Sequence, residues 1–297
     1  MRWITYRTPD GAEAVGIASA GGYRGLAVTE LGADLLGLLR AGADAQARAA
    51  ARLASEPLIG ADAIAWLPVL PRPDKIICIG LNYVAHSAES GFQPPDYPTV
   101  FARYASSLVA HGASMIRPNA SEQLDYEGEL AVVIGRAGRH IAEADALGHV
   151  AGYSIFNDGS IRDYQRKSPQ WTIGKTFDLT GGFGPELVTA DELPPGCKGL
   201  EIETRLNGEV VQHAAIDDLI FDVARLISIL SEAISLAPGD VIVSGTPAGI
   251  GAARTPPLWM KPGDVCEVTV ERVGTLSNPI AQEGAPAGAR VSIGATP

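Results

Sequence analysis

The chain has 297 residues, is 46% hydrophobic, and carries a formal net charge of -11 with a pI near 4.9. That length supplies one large domain, or a large domain with a small appendage, and the 34 Gly and 21 Pro exclude an all-helical bundle. An acidic surface repels nucleic-acid phosphates and anionic lipid, and no basic run with interleaved aromatics is present, which excludes nucleic-acid and membrane-surface partners.

Residues 1–70 read as a small α/β region of their own. Trp3 to Thr8 and Ala14 to Ala18 are expected strands, and Thr29 to Leu39 and Ala45 to Ala54 are expected helices, rich in Ala and Leu. The first residues hold no apolar stretch of signal-peptide length, so the cytoplasm is the expected location. Leu67 to Pro73 carries Pro68, Pro71 and Pro73 and reads as an extended linker, which places a boundary there.

Beyond it, residues 73–282 read as a strand-rich domain with scattered helices. Lys75 to Gly80 is an apolar run ending in Gly. Glu127 to Gly135 alternates as a strand with Glu127, Glu129, Ala131 and Val133 on one face. His149 to Asp158 is another apolar strand, leading into helical turns through Gln165. Asn207-Gly208 between IETRL and EVVQ signals a hairpin, and Pro238-Gly239-Asp240 and Pro262-Gly263-Asp264 signal turns. Asp218 to Leu236 is the clear helix, with Leu219, Val223, Leu226, Leu230 and Ile234 as its apolar stripe. Residues 283–297, rich in Gly and Ala, read as a frayed tail.

Three carboxylates stand out. Glu127 and Glu129 are two apart on one strand, so they point the same way and repel unless a cation lies between them. Asp158 ends a second strand. An isolated E-x-E on a strand is more often just a wet face, and Asp158 changes those odds. The three cysteines, Cys78, Cys197 and Cys266, show no CxxC spacing, so disulfides and thiolate zinc sites are poorly supported. An all-oxygen ligand set selects Mg²⁺, Mn²⁺ or Ca²⁺ over zinc. His86 and Glu89, spaced i,i+3, could pair so that the carboxylate fixes the imidazole tautomer, although such a pair is also common on exposed helices. Lys175, in a partly apolar setting, is a candidate substrate-orienting cation. Ser244 to Gly251 is a glycine-rich turn that could bring backbone amides to an anion; it lacks the ending of a phosphate-binding P-loop.

In order, NYxxHxxE, ExE, ND-x-S-x-RD-x-Q, GK-x-FD and SGTPAGIG resemble the fumarylacetoacetate hydrolase family over roughly residues 75–280. The resemblance implies an α+β, β-rich fold, a mixed β-sandwich roll preceded by a small N-terminal α/β region. It implies that Glu127, Glu129 and Asp158 bind Mg²⁺ or Mn²⁺, with Ca²⁺ possible. It makes His86 and Glu89 a water-activating dyad on a lid segment, and Lys175 a substrate-contacting catalytic residue. Arg162, Gln165, Thr246 and Tyr83 become substrate-binding candidates, and the assembly a homodimer. Arg103, where relatives often carry Lys, the run Thr180 to Pro185, and Gly159 depart from the family pattern, and are expected to affect substrate preference more than metal binding.

The implied reaction is hydrolysis of a C–C bond in an acylpyruvate or 1,3-diketo acid, with the ion supporting an enolate and His86–Glu89 activating water. Decarboxylation of an oxaloacetate-like acid, or isomerisation of a 2-hydroxy-diene-dioate, are alternatives on the same site. A non-catalytic metal- or ligand-binding protein is the alternative of another class.

Overall fold

The structure, a computed structural model, describes residues 1–91 and 93–285. The strand Gly128–Ile134 is buried along its whole length, which is why its sequence is nearly continuous apolar rather than alternating polar and apolar. Leu130, Val132 and Ile134 face one core, with Leu226, Ile227 and Leu230 of the helix Val223–Ala233. Ala131 and Val133 face a second core, with Trp3, Leu35, Leu39 and Leu53 of the N-terminal region. The helix is shorter than expected because Asp222 caps it, its carboxylate accepting from the Arg225 N–H at 2.9 Å, while Ile216–Asp218 forms a separate 3-10 turn.

A 12-stranded sheet runs through the molecule. From one edge its main path is Leu58–Ile59, Gly22–Ala27, Glu13–Ser19, Arg2–Arg7, Gly181–Thr189, Val150–Asp158, Gly128–Ile134, Val241–Val243, Ile76–Gly80 and Thr99–Arg103. A five-stranded sheet, ordered Glu209–Ala215, Glu201–Leu206, Val265–Val270, Gly274–Gln282 and Met115–Arg117, packs on it and completes a β-sandwich roll. Ile202, Val268, Val270 and Leu276 of the smaller sheet enter the first core. Gly128 is required at this contact: a Cβ there would lie 2.2 Å from the Thr204 hydroxyl and 2.9 Å from Val268. The Asn207-Gly208 hairpin forms as expected, both residues at positive φ (54° and 82°).

Residues 1–70 form an antiparallel meander of Arg2–Arg7, Glu13–Ser19 and Gly22–Ala27 with helices Leu35–Ala41 and Ala43–Leu53 packed on it. The third strand, GYRGLA, was not expected. Its two glycines give little local strand signal, and pairing from Ala14↔Ala27 to Ser19↔Gly22 holds it. The single helix expected over Thr29 to Leu39 is two pieces, because the chain turns at Gly32 (φ 89°) and restarts at Asp34, whose carboxylate accepts from Gly37 N–H. The meander joins the rest of the sheet through Arg2↔Val188 and Trp3↔Leu187. The proline-rich segment, expected to be extended, bends at residues 69–72 and is packed: Val69 and Leu70 are fully buried, and the Thr5 hydroxyl donates to Val69 O at 2.8 Å. Most of the tail expected at 283–297 lies outside the described residues. Among the described residues no helix is long and apolar enough to cross a membrane.

Candidate active site

Strand register explains how Asp158 reaches Glu127. Gly128–Ile134 and Val150–Asp158 pair antiparallel with Gly128 opposite Asn157, so the strand ends meet and Asp158 N–H donates to Glu127 O at 2.8 Å. Glu127, Glu129 and Asp158 each offer a carboxylate oxygen, all within 4.8 Å of one another, and all three residues are buried.

Three buried cations surround this cluster. Lys175 Nζ donates to Glu127 Oε2 at 2.5 Å and to Asp158 Oδ2 at 2.6 Å. Arg162 Nη2 lies 2.6 Å from Glu127 Oε1, and its Nε donates to Asp125 Oδ2 at 2.8 Å. Arg103 Nη1 donates to Asp158 Oδ1 at 2.5 Å and to Gly159 O at 3.0 Å, and its Nη2 to the Thr180 hydroxyl at 2.9 Å. Four buried carboxylates, counting Asp125, thus face three buried cations.

The missing positive charge is felt at Glu129. Among the described residues its carboxylate has no cationic partner; it accepts from Gly245 N–H at 2.5 Å. Burial, then the neighbouring Asp158 and Glu127, push its carboxyl well above the usual range. Glu127 goes the other way: burial alone would raise it, but Arg162 and Lys175 outweigh that and hold it down. Burial works against the Lys175 charge, and Asp158 and Glu127 outweigh it, so the lysine stays an ammonium. An oxygen-only cluster with one uncompensated negative charge fits a hard divalent cation.

The other sequence candidates converge on the same space. Strand Ile76–Gly80 leads through Leu81 (φ 59°) and Asn82 into the short helix Val84–Glu89. Asn82 pins that turn, donating to Phe221 O at 3.0 Å and Ser244 O at 2.7 Å and accepting from Phe221 N–H at 2.8 Å. Within the helix His86 Nδ1 lies 2.8 Å from Glu89 Oε1, and Glu89 Oε2 accepts from Gly249 N–H at 2.9 Å. Imidazole, Glu89, Glu127, Glu129, Arg162, Gln165, Lys175 and Thr246 line one cavity of about 440 Å³, with Ile79, Phe101, Trp171 and Ile250 as apolar wall. Gln165 Oε1 accepts from Arg162 Nη1 at 2.9 Å. The Thr246 hydroxyl donates to Gly128 O at 3.0 Å and accepts from Gln212 at 2.8 Å.

Tyr83 is a correction. It does not line the cavity; its ring lies in the core beside Leu219 and Phe221, 2% exposed, because the extended backbone before the helix turns it inward. Arg103 is another: it lies behind Asp158, away from the cavity wall, so its first effect is on a candidate metal ligand rather than on substrate preference.

Asp125 was missed. It is fully buried, takes the Arg162 guanidinium, and accepts from Gly251 N–H at 2.8 Å and Ala252 N–H at 2.9 Å. It thereby ties the arginine to the glycine-rich loop. Its parity with Glu127 and Glu129, three carboxylates at alternate positions, is the sequence signal that could have found it.

Comparison with known proteins agrees with this geometry. The family model described as fumarylacetoacetate (FAA) hydrolase C-terminal matches residues 75–281. The mitochondrial oxaloacetate tautomerase Fahd2a of Rattus norvegicus is 40% identical over 225 residues, 75% of this chain and 72% of that protein. The oxaloacetate tautomerase YisK of Bacillus subtilis (strain 168) is 43% identical over 215 residues, 71% of each chain. The solved fumarylacetoacetate hydrolase of Exiguobacterium antarcticum superposes with a TM-score of 0.83 at 33% identity, covering 95% of this chain and 99% of that one. With the family model spanning more than half its length, and Glu127, Glu129, the dyad and the lysine lining one cavity beside Asp158, the chain belongs to the fumarylacetoacetate hydrolase family.

Proposed function

We propose that the protein interconverts the enol and keto forms of a small 2-oxo dicarboxylic acid of the oxaloacetate type, using a divalent cation. The observation that carries this reading is that the His86–Glu89 pair lines one cavity with Glu127 and Glu129, and that Asp158 offers a third carboxylate oxygen within 4.8 Å of theirs. Mg²⁺ or Mn²⁺ is the proposed ion and Ca²⁺ the next candidate, held by Glu127, Glu129 and Asp158. When bound, the ion would attract the oxygens of the 2-oxo acid and lower the energy of its enolate.

The chain's own groups supply the proton movements. Because Glu89 engages Nδ1, the free imidazole nitrogen is Nε2, on a residue that lines the cavity. His86 Nε2 takes or gives the proton at C3 of the substrate. Lys175, kept charged by its two carboxylates, donates a hydrogen bond to the C2 oxygen as negative charge develops there. Arg162 and Gln165, locked together, hold the neighbouring carboxylate. In tautomerisation one proton leaves oxygen and one joins carbon, so no water is consumed.

The sequence resemblance alone pointed first to hydrolysis. Relatives at 40% and 43% identity named oxaloacetate tautomerases move the balance to tautomerisation. Hydrolysis of an acylpyruvate, with His86 taking a proton from water, is the second reading, favoured by the 33%-identical solved hydrolase. Product analysis decides among them. Enol oxaloacetate should decay to the keto form with no CO₂ released, in a step that Glu127→Ala abolishes together with Mg²⁺ binding in calorimetry. Cleavage of acylpyruvates to pyruvate and a free acid, with no effect on the enol, would overturn the tautomerase reading.

We also propose a homodimer. Thr99–Arg103 is a sheet edge, and Val100, Tyr104 and Ile173 on or beside it are exposed. A monomer by sedimentation at micromolar concentration would refute it.

A further inference from the structure

The cavity's lining cations are Arg162, Lys175 and Arg166. The first two are each held by two carboxylates. Arg166 differs: its side chain makes no hydrogen bond or ion pair with any described residue. It follows the short helix Arg162–Gln165 directly, its N–H donating to Arg162 O at 3.2 Å. Spaced four residues from Arg162, it stands one turn along the same wall, outward from the acidic cluster. A guanidinium that reaches a cavity with both edges free is a ready receptor for a planar carboxylate.

The charge balance sharpens this. The buried cluster is one positive charge short of neutrality, so a divalent ion would leave one net positive charge there for the 2-oxo carboxylate end of a substrate. Among the described lining residues, Arg166 is the Arg or Lys left for a second carboxylate at the other end.

We propose that Arg166 is a specificity-determining residue that binds the distal carboxylate of a 2-oxo dicarboxylic acid and so selects diacids over monoacids. The assignment rests on the tautomerase reading for the identity of the substrate, and on the cavity alone for the charge preference. Arg166 is exposed, so solvent screens the contact and the discrimination it provides is of the order of tenfold.

The test compares two ligands that differ in the distal carboxylate. Malate and lactate are titrated calorimetrically into the Mn²⁺-supplemented full chain, as wild type, Arg166→Gln and Arg166→Lys. Wild type is expected to bind malate about tenfold more tightly than lactate. Arg166→Gln brings that ratio to within about twofold, and Arg166→Lys keeps part of it. In parallel, the kcat/KM ratio for enol oxaloacetate over enol phenylpyruvate falls by a similar factor in Arg166→Gln. A wild type without the malate preference, or an Arg166→Gln variant that retains it, overturns the assignment. A malate preference lost in Arg166→Gln, with no turnover of enol oxaloacetate by wild type, leaves the assignment standing and removes the tautomerase reading instead.

Discussion

Glu129 carries the tension of the site. Glu127 and Asp158 each have cationic partners, whereas Glu129 has a backbone N–H and two like charges beside it. Replacing it with Gln removes a carboxyl whose charged form burial and the neighbouring Asp158 and Glu127 disfavour. The chelator-treated Glu129→Gln protein should melt roughly 2 °C higher than wild type, and should lose the rise in melting temperature that Mg²⁺ gives wild type. A variant that still gains stability from Mg²⁺ would remove Glu129 from the ligand set. The trio itself was legible because alternate carboxylates on a strand, and a carboxylate ending another, are patterns a sequence shows directly. The counter-charges were less so. Arg103 lies 55 residues from Asp158 along the chain, and only the strand register brings them together. Tyr83 misled because it adjoins Asn82 and the His86 helix, yet strand alternation turns it into the core.

Among the elements, the glycine-rich loop does more than approach an anion, which is all its sequence suggested. Gly245 N–H holds Glu129, and Gly249 N–H holds Glu89, so one loop touches both the cluster and the dyad. Gly249 is itself fixed, its carbonyl accepting from the Tyr126 hydroxyl at 3.0 Å and from Arg254 at 3.3 Å. It sits at φ 107°, and a Cβ there would lie 2.1 Å from Val211 O. Gly249→Ala must therefore shift the backbone and withdraw the N–H from Glu89. The expected result is a fall in kcat of about tenfold or more, with Mn²⁺ affinity within about threefold of wild type, since the three carboxylates lie on other elements. Undiminished kcat would show that the dyad does not depend on the loop. The hairpin at Asn207-Gly208 and the two Pro-Gly-Asp turns were readable because their chemistry is local. The Gly22–Ala27 strand was not, because its strand character comes from its neighbour.

For the whole molecule, the boundary expected near residue 73 separates segments that share a sheet and a core. Trp3, Leu35, Leu39 and Leu53 pack in one cluster with Ile76, Val133, Phe183 and Val241. At 1.5–3 kcal/mol for each large buried side chain, those four contribute about 6–12 kcal/mol, comparable to the total stability of an ordinary domain. A chain beginning at residue 73 should therefore show no cooperative thermal transition, and the full chain should show one; two separable transitions in the full chain would contradict this. Composition and a proline-rich segment suggest where a chain could divide. They do not reveal that Arg2–Arg7 pairs with Gly181–Thr189 across most of the sequence.

The most direct test of the account is a crystal of the protein soaked with Mn²⁺ and oxalate, with anomalous scattering recorded at the manganese edge. The account predicts one strong peak per chain, touching Glu127, Glu129 and Asp158, with oxalate beside it and within reach of Arg162 or Lys175. A fully occupied manganese elsewhere, or a cavity that binds oxalate with no metal among the three carboxylates, would contradict it.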